Sequence, residues 1–159
     1  MNTNHPSITF HHANAKGTGS AIRMQLYPAH DSVDGSIMLY AAPQISLGDR
    51  RTNPPTFPCF DWENAISIRL CFDDLTRILQ VFRGETESIA DGKGLFHVSG
   101  LIHRVLMRHV IVPVCGYEFE IIERAQNADE RRIKLMLSPA EALGICEAIA
   151  GSMTRICFG

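Results

Sequence analysis

No apolar run in this sequence reaches the roughly 18 residues that a membrane span requires. The opening residues, Met1-Asn2-Thr3-Asn4-His5-Pro6, carry neither a basic nor an apolar stretch, so no secretory signal is expected there. They also lack the arginines of a transit peptide. No Cys-x-x-Cys occurs, and the five cysteines (Cys59, Cys71, Cys115, Cys146, Cys157) are odd in number. That pattern fits structural thiols in a reducing, cytoplasmic compartment. Charge of either sign is not in excess: 15 Lys+Arg against 17 Asp+Glu leave a formal net charge of −2. This is not the footprint of a protein that grips duplex DNA through its phosphates. A nucleic-acid role would have to rest on where the charge sits.

The usual marks of catalysis are also missing. His97, His103 and His109 recur every six residues, which on one strand sets them roughly 20 Å apart, too far to share a metal. His11 and His12 would face opposite ways. The cysteines lack a partner motif for nucleophilic attack. Asp73-Asp74 and Asp129-Glu130 read as helix cap and loop charge. Lys16-Gly17-Thr18-Gly19 precedes a strand and lacks the spacing of a phosphate loop. No catalytic residue, metal or cofactor is expected, and the chain does not read as an enzyme.

What is present is a strand, a cap and a helix, written twice. Ile66, Ile68, Leu70 and Phe72 alternate with Ser67 and Arg69, as in a half-buried strand. Asp73 then offers an acceptor to a helix start, and Leu75, Ile78, Leu79 and Phe82 follow at helical spacing. Near the C-terminus Ile133, Leu135 and Leu137 alternate in the same way, Ser138 caps, Pro139 opens a helix and Glu141 completes a capping box. Aligning Ile68 with Ile133, Leu70 with Leu135 and Asp73 with Ser138 needs no gap. We read an internal duplication, with halves of about 16–84 and 85–159 in one domain.

Residues 1–15 read as a flexible or edge-lying arm. Strands are expected over 21–27 and 36–42, and a long, mobile, proline-rich loop over 43–59. Further strands are expected within 85–89, 95–98, 101–112 and 117–124, with a polar hairpin loop at 126–130. About eight strands and two helices, each helix closing a run of strands, imply an α+β fold with antiparallel sheets.

The final helix is apolar nearly all round. Ile145, Ile149 and Met153 lie on one stripe, and Ala140, Gly144 and Ala148 form a line of small residues. These six positions are the expected oligomer interface. A helix sunk into a single monomer core accounts for the same pattern.

Arg23, Arg69, Arg104, Arg108, Arg132 and Lys134 occupy solvent-facing strand positions, with Phe10, Tyr40, Phe60, Trp62 and Phe96 near those faces. Basic side chains beside aromatic platforms suit single-stranded nucleic acid, whose bases stack on rings. Core aromatics with ordinary surface arginines would look the same.

The order of segments resembles the Whirly family of single-stranded DNA-binding proteins, in the PC4-like superfamily, over roughly residues 10–158. Lys16-Gly17-Thr18-Gly19-Ser20-Ala21 is similar to the family's K-G-K-A-A-L motif, with Thr18 in place of its second Lys. Asp34–Pro43 resembles its G-x-x-x-L-x-x-A-P strand, and Phe60-Asp61-Trp62 its Y-D-W. The resemblance implies two four-stranded antiparallel β-sheets with two helices, a duplicated ββββα unit. It also implies a homotetramer that holds single-stranded DNA with little sequence preference, in transcription regulation or DNA repair. Lys16, Arg23, Arg69 and Lys93 would meet phosphates, Phe60, Trp62 and Phe96 would stack on bases, and Gly17, Thr18 and Gly19 would line the strand. RNA binding on the same surface, in the manner of guide-RNA-binding relatives, is the first alternative. An oligomeric scaffold that keeps the fold without nucleic acid is the second.

Overall fold

Each of the two strand-to-helix joints turns an alternating strand directly into a capped helix, and everything else packs around them. The computed structural model describes residues 5–125 and 129–159. In chain order come β1 (Ser7–His12), β2 (Ser20–Tyr27), β3 (Ser36–Ser46), β4 (Cys59–Phe60), β5 (Ile66–Leu70) and helix α1 (Phe72–Phe82). A short 3-10 turn (Ile89–Gly92) leads to β6 (Leu95–Ser99), β7 (Leu101–Val110), β8 (Gly116–Arg124), β9 (Glu130–Leu137) and helix α2 (Pro139–Phe158).

Both sheets are antiparallel throughout. The second runs β6-β7-β8-β9. The first runs β1-β2-β3, and the far edge of β3 is shared: β5 pairs with Ile37–Ala41, and β4 pairs with Gln44 and Ser46. The fourth strand of this sheet is therefore broken in two. Part of the segment read as an arm supplies β1, an edge strand running beside β2 from Ser7↔Gln25 to His12↔Ser20.

Period-two alternation decides which side of each strand is inside. Ile22, Met24, Ile37, Leu39, Ile66, Ile68 and Leu70 of the first sheet enter one core with Val105, Met107, Phe119, Ile121, Ile133, Leu135 and Leu137 of the second. The helices lie in that core, in contact with each other. α1 also packs on β7 and the 3-10 turn, and α2 on β8 and β9. The first unit's helix thus lies against the second unit's sheet.

Several expectations need correction. The N-cap of α1 is Cys71, not Asp73, and the reciprocal partner is Asp74, whose Oδ2 accepts from the Cys71 N–H at 3.0 Å and the Cys71 thiol at 3.1 Å. Phe72 is consequently the first helical residue, half-exposed, and does not continue the strand's inward alternation. The second joint is as read, with Ser138 capping, Pro139 at the first position and Glu141 closing the box. The duplication therefore aligns two residues away from the sequence register. It sets Ile66 on Ile133, Ile68 on Leu135, Leu70 on Leu137, Cys71 on Ser138 and Asp74 on Glu141. A thiol in place of a hydroxyl hid the true cap.

Ile145 and Ile149, expected at an oligomer interface, are 0% and 1% exposed and belong to the subunit's own core. Met153 packs partly against that core as well. Ala140 and Gly144 face outward, with Leu143 between them, and Ala148 is half-buried. Phe10 points into the core and not toward a basic face. His97 and His103 are direct cross-strand neighbours, because the chain reverses at Ser99-Gly100. No strand forms over 85–89, where Ser88 makes an isolated bridge to Arg108. The expected polar loop at 126–130 falls largely outside the described residues.

The β1–β2 hairpin is built on Gln44. Its buried amide accepts from the N–H groups of Asn14 (2.9 Å) and Gly19 (3.1 Å) and donates to the carbonyls of Asn14 (3.2 Å) and Ser46 (2.9 Å). A Cβ on Gly19 would lie 2.2 Å from the His12 carbonyl oxygen and 2.3 Å from Gln44 Oε1. Gly19 thus makes room for its own chain and not for a ligand. Gly19→Ala should cost about 1–3 kcal/mol by overpacking. Gln44→Leu should cost about 1–3 kcal/mol by orphaning buried N–H groups. Because both act at one point, urea unfolding of the double variant should show less than the sum of the two. Full additivity would refute the shared mechanism.

Candidate functional site

The inner faces of both sheets are used up by the core, so the outer faces and the surface of α2 remain. Both outer faces carry cations, but on the second sheet most of them are paired with acids.

On the second sheet the cations are neutralised across the strands. Arg108 and Lys134 both pair with Glu118, at 3.0 and 2.8 Å. Arg132 pairs with Glu120 at 2.7 Å and with Glu130 at 2.6 Å. Arg108 sits directly opposite Glu118 in the β7–β8 register, while Lys134 and Arg132 reach Glu118 and Glu120 diagonally across the β8–β9 pair. Arg108, Arg132 and Lys134, expected to form a basic face, do not form one. Phe96 stands at the free edge with the Arg104 guanidinium 4.9 Å over its ring. The Arg104 Nε donates to the Lys93 carbonyl at 2.7 Å. Lys93 and Phe96 are therefore together, but on a different sheet from the other expected site residues.

On the first sheet the outer face holds Arg23 and Arg69, and neither makes an ion pair among the described residues. The ladder aligns Thr9, Arg23, Tyr40 and Ser67 in one row, and Ser7, Gln25, Met38 and Arg69 in the next. No carboxylate stands in either row. The break between β4 and β5 supplies the aromatic part. Asp61 donates its N–H to the Pro43 carbonyl at 2.9 Å, and its carboxylate accepts from Asn64. This turn throws Trp62 over the sheet, where the Arg23 guanidinium lies 4.2 Å from its ring centre. His11 of β1 stands 5.3 Å from Phe60 and 6.3 Å from Trp62, ring centre to ring centre. Arg23, His11, Phe60 and Trp62 thus form one cluster of flat surfaces. His11 was missed in the sequence, because pairing with β2 could not be read from an apparent arm.

At the same end of the sheet stands the β1–β2 hairpin. Asn14 Oδ1 accepts from the N–H groups of Lys16 (3.0 Å) and Thr18 (3.1 Å), which fixes the loop and leaves the Lys16 side chain outside. Gly17 has φ +72°, a conformation that favours glycine. The proline-rich segment folds against this hairpin, with Arg50 beside residues 13–15. The expectation of one loop over 43–59 is corrected at both ends: β3 runs on through Ser46, and Cys59 already belongs to β4. Between them Asp49 organises a compact lobe. Its carbonyl accepts from the Thr56 N–H and the Thr52 hydroxyl, and its carboxylate accepts from the Arg51 N–H. Arg50 and Arg51 are left exposed beside the hairpin that carries Lys16.

Tyr40 stands in the Arg23 row. Burial, and then the neighbouring Tyr27 hydroxyl, push its hydroxyl above the ordinary tyrosine range. It remains neutral, and so does not repel an anion. One cluster elsewhere resembles a nucleophile: Cys71, Asp74 and His97, with His97 Nε2 3.2 Å from Asp74 Oδ2 but out of line for a hydrogen bond. Burial and the Asp74 hydrogen bond push the Cys71 thiol up, whereas a nucleophile needs the thiolate. This cluster is a helix cap.

A twofold-repeated unit of antiparallel strands closed by a helix, with both helices sharing one core, settles the fold. It is the Whirly fold. WHY1 from Arabidopsis thaliana superposes with a TM-score of 0.73 over 97% of this chain and 86% of its own, at 14% identity. A guide-RNA-binding protein complex bound to a guide RNA matches with a TM-score of 0.65 over 95% of this chain and 91% of its own, at 13% identity. The plant transcriptional regulator PBF-2 matches with a TM-score of 0.62 over 95% and 84%, at 15% identity. No protein-family model matches the sequence, and no curated protein matches it significantly. Among the described residues, no helix is long and apolar enough to cross a membrane.

A ladder pair and a helix cap give the domain an acid limit. Hydrogen bonding from Arg108, with Lys134 adding to it, holds the Glu118 carboxyl below its ordinary range. Burial draws Glu141 upward, but the Ser138 N–H and hydroxyl, with His12 at 2.8 Å, outweigh it and hold that carboxyl low as well. A carboxyl whose folded pKa is depressed contributes stability above its unfolded value, near 4.3, and loses it as pH falls through the folded value. The melting temperature should therefore drop as pH is lowered from about 5 to about 3. Glu118→Gln combined with Glu141→Gln should flatten that drop, and an unchanged slope would refute the assignment.

Proposed function

We propose that this protein is a non-enzymatic binder of single-stranded DNA, using the outer face of its first sheet. The observation that carries the reading is the arrangement of Arg23 over Trp62, beside Phe60 and His11, in a strand row without carboxylates. Single strands need flat rings for bases and free cations for phosphates, and readout by stacking is sequence-tolerant. Lys16, Arg23, Arg50 and Arg51 meet the phosphates. The strand crosses from the two loops at one end of the sheet toward Arg69 at the other. Lys93, Phe96 and Arg104 form a second stacking edge on the other sheet, available to a longer strand or to a strand shared between subunits. Gly17 and Thr18 shape the hairpin that presents Lys16. The solved guide-RNA-binding complex and the regulator PBF-2 support a nucleic-acid role on this fold.

The working form is a homotetramer, built through the exposed side of α2. Leu143 and Phe158 are 64% and 84% exposed there, and a Cβ on Gly144 or Gly151 would meet nothing in its own chain. Small residues on a helix face permit close approach of a second helix, and a repeated four-subunit surface raises avidity for a long strand. Five free thiols fit a cytoplasmic setting. Transcription regulation and DNA repair are the processes this binding would serve.

Fluorescence anisotropy of a labelled 32-nucleotide single strand, at two salt concentrations and with duplex as competitor, tests the reading. Binding should weaken with salt, with a logarithmic slope of roughly −3 for four phosphate contacts per subunit on a single strand. Duplex should compete poorly. Arg23→Ala with Trp62→Ala should lower affinity at least about tenfold. An RNA strand of equal sequence that wins the competition would favour the guide-RNA-like alternative. Absence of binding at low salt would leave an oligomeric scaffold. Separately, Leu143→Glu should convert the tetramer to smaller species in sedimentation; an unaltered mass would exclude this face as the interface.

A further inference from the structure

At the end of the first sheet away from the hairpin, the outer face closes into a cleft of about 430 Å³. Tyr27, Met38, Tyr40 and His5 line it, and Asp34 and Arg69 stand in the same wall. The His5 and Tyr27 rings lie 4.0 Å apart. Arg69 donates one Nη2 hydrogen bond to the Asp34 backbone carbonyl at 2.8 Å, which holds the guanidinium against the turn that carries Asp34. The Asp34 carboxylate makes no hydrogen bond among the described residues.

The wall is held from behind. The segment between β2 and β3 is tied to the end of α2: the Ala29 N–H donates to the Arg155 carbonyl at 2.8 Å, and the Gly35 N–H to the Ile156 carbonyl at 3.1 Å. A Cβ on Gly35 would lie 2.6 Å from Ile156 Cα, so only glycine permits this approach. The carboxylate and the guanidinium are thus presented on a fixed backbone, which lowers the cost of ordering on binding.

We propose that this cleft receives one nucleobase of the bound strand and prefers guanine, an inference that rests on the single-strand reading above. A carboxylate in the wall repels a phosphate, so the cleft takes a base and the backbone stays outside. Guanine carries O6 and N7 acceptors, which suit a guanidinium fork, and N1–H and N2–H₂ donors, which suit a carboxylate. Thymine offers acceptors without the amino group, and cytosine and adenine each place a donor where guanine has O6. The tyrosine rings supply the stacking surface. Arg69, expected from the sequence to meet a phosphate, becomes a base-reading residue.

Base analogues test this without altering the protein. Affinities of the whole protein for 12-nucleotide strands would be measured by anisotropy at one salt concentration, with thymine throughout except for one central position. A single guanine should bind about tenfold tighter than all-thymine, the scale of one bidentate base contact. Inosine, which lacks the N2 amino group, and 7-deazaguanine, which lacks N7, should each lose most of that gain. Asp34→Asn should abolish the guanine–inosine difference. Equal affinity for guanine, inosine and thymine strands would overturn the proposal and leave the single-strand reading intact. Failure of every strand to bind would overturn both.

Discussion

Everything in this fold depends on two sheets sharing one interior. Neither sheet has a helix of its own size to cover it: α1 lies on the other unit's β7 and beside α2. Burying the alternating residues of nine strands therefore requires both halves at once. At roughly 25 cal/mol per Å² of apolar surface removed from water, this shared core supplies the main driving force. Its geometric consequence matters most for function. Each sheet gives one face to the core and must expose the other, so two outer faces are available for recognition by construction.

The two outer faces then part company through charge placed in register. On β8, Glu118 and Glu120 stand directly or diagonally opposite Arg108, Lys134 and Arg132 of the flanking strands, so these three cations are paired across the second sheet. The first sheet has no such acids in the Arg23 and Arg69 rows, and one of its cations is spread over an indole ring. A chain with a formal net charge of −2 can thus carry a locally basic, aromatic face. Bulk charge argued against a grip on duplex phosphates, whereas the register shows where cations stand without acids.

How much of this was legible in the sequence followed from the range of each interaction. The alternation at Ile66–Leu70 and Ile133–Leu137, and the Ser138–Glu141 box, are local, and they were read correctly. The cap at Cys71 was not, because a cysteine seldom signals a helix start, and Asp73 offered a more familiar acceptor two residues further on. The conversion of Pro43–Ser46 into strand was hidden by Pro43, which local reading takes as the end of a strand. The site itself was half legible. Arg23, Phe60 and Trp62 stood out as residue types, but their meeting depends on a break between two short strands that no local pattern announces. His11, Arg50 and Arg51 join the site only through pairing and loop packing.

The broken fourth strand explains why the two units, alike in architecture, present different outer faces. In the second unit β9 runs unbroken from Glu130 to Leu137, and every outward position is committed to the ladder. In the first, the equivalent edge is interrupted between Phe60 and Ile66, and the five residues in the gap are free of ladder constraints. Asp61 spends its carboxylate on Asn64 to hold the turn, and Trp62 is thereby lifted onto Arg23. A regular strand would have placed a tryptophan at that position upright beside its neighbours and left the guanidinium to find an acid. The interruption is the local irregularity that gives the first unit an outer face of aromatic rings and unpaired cations. The other copy, kept regular, pairs its charges and closes the core.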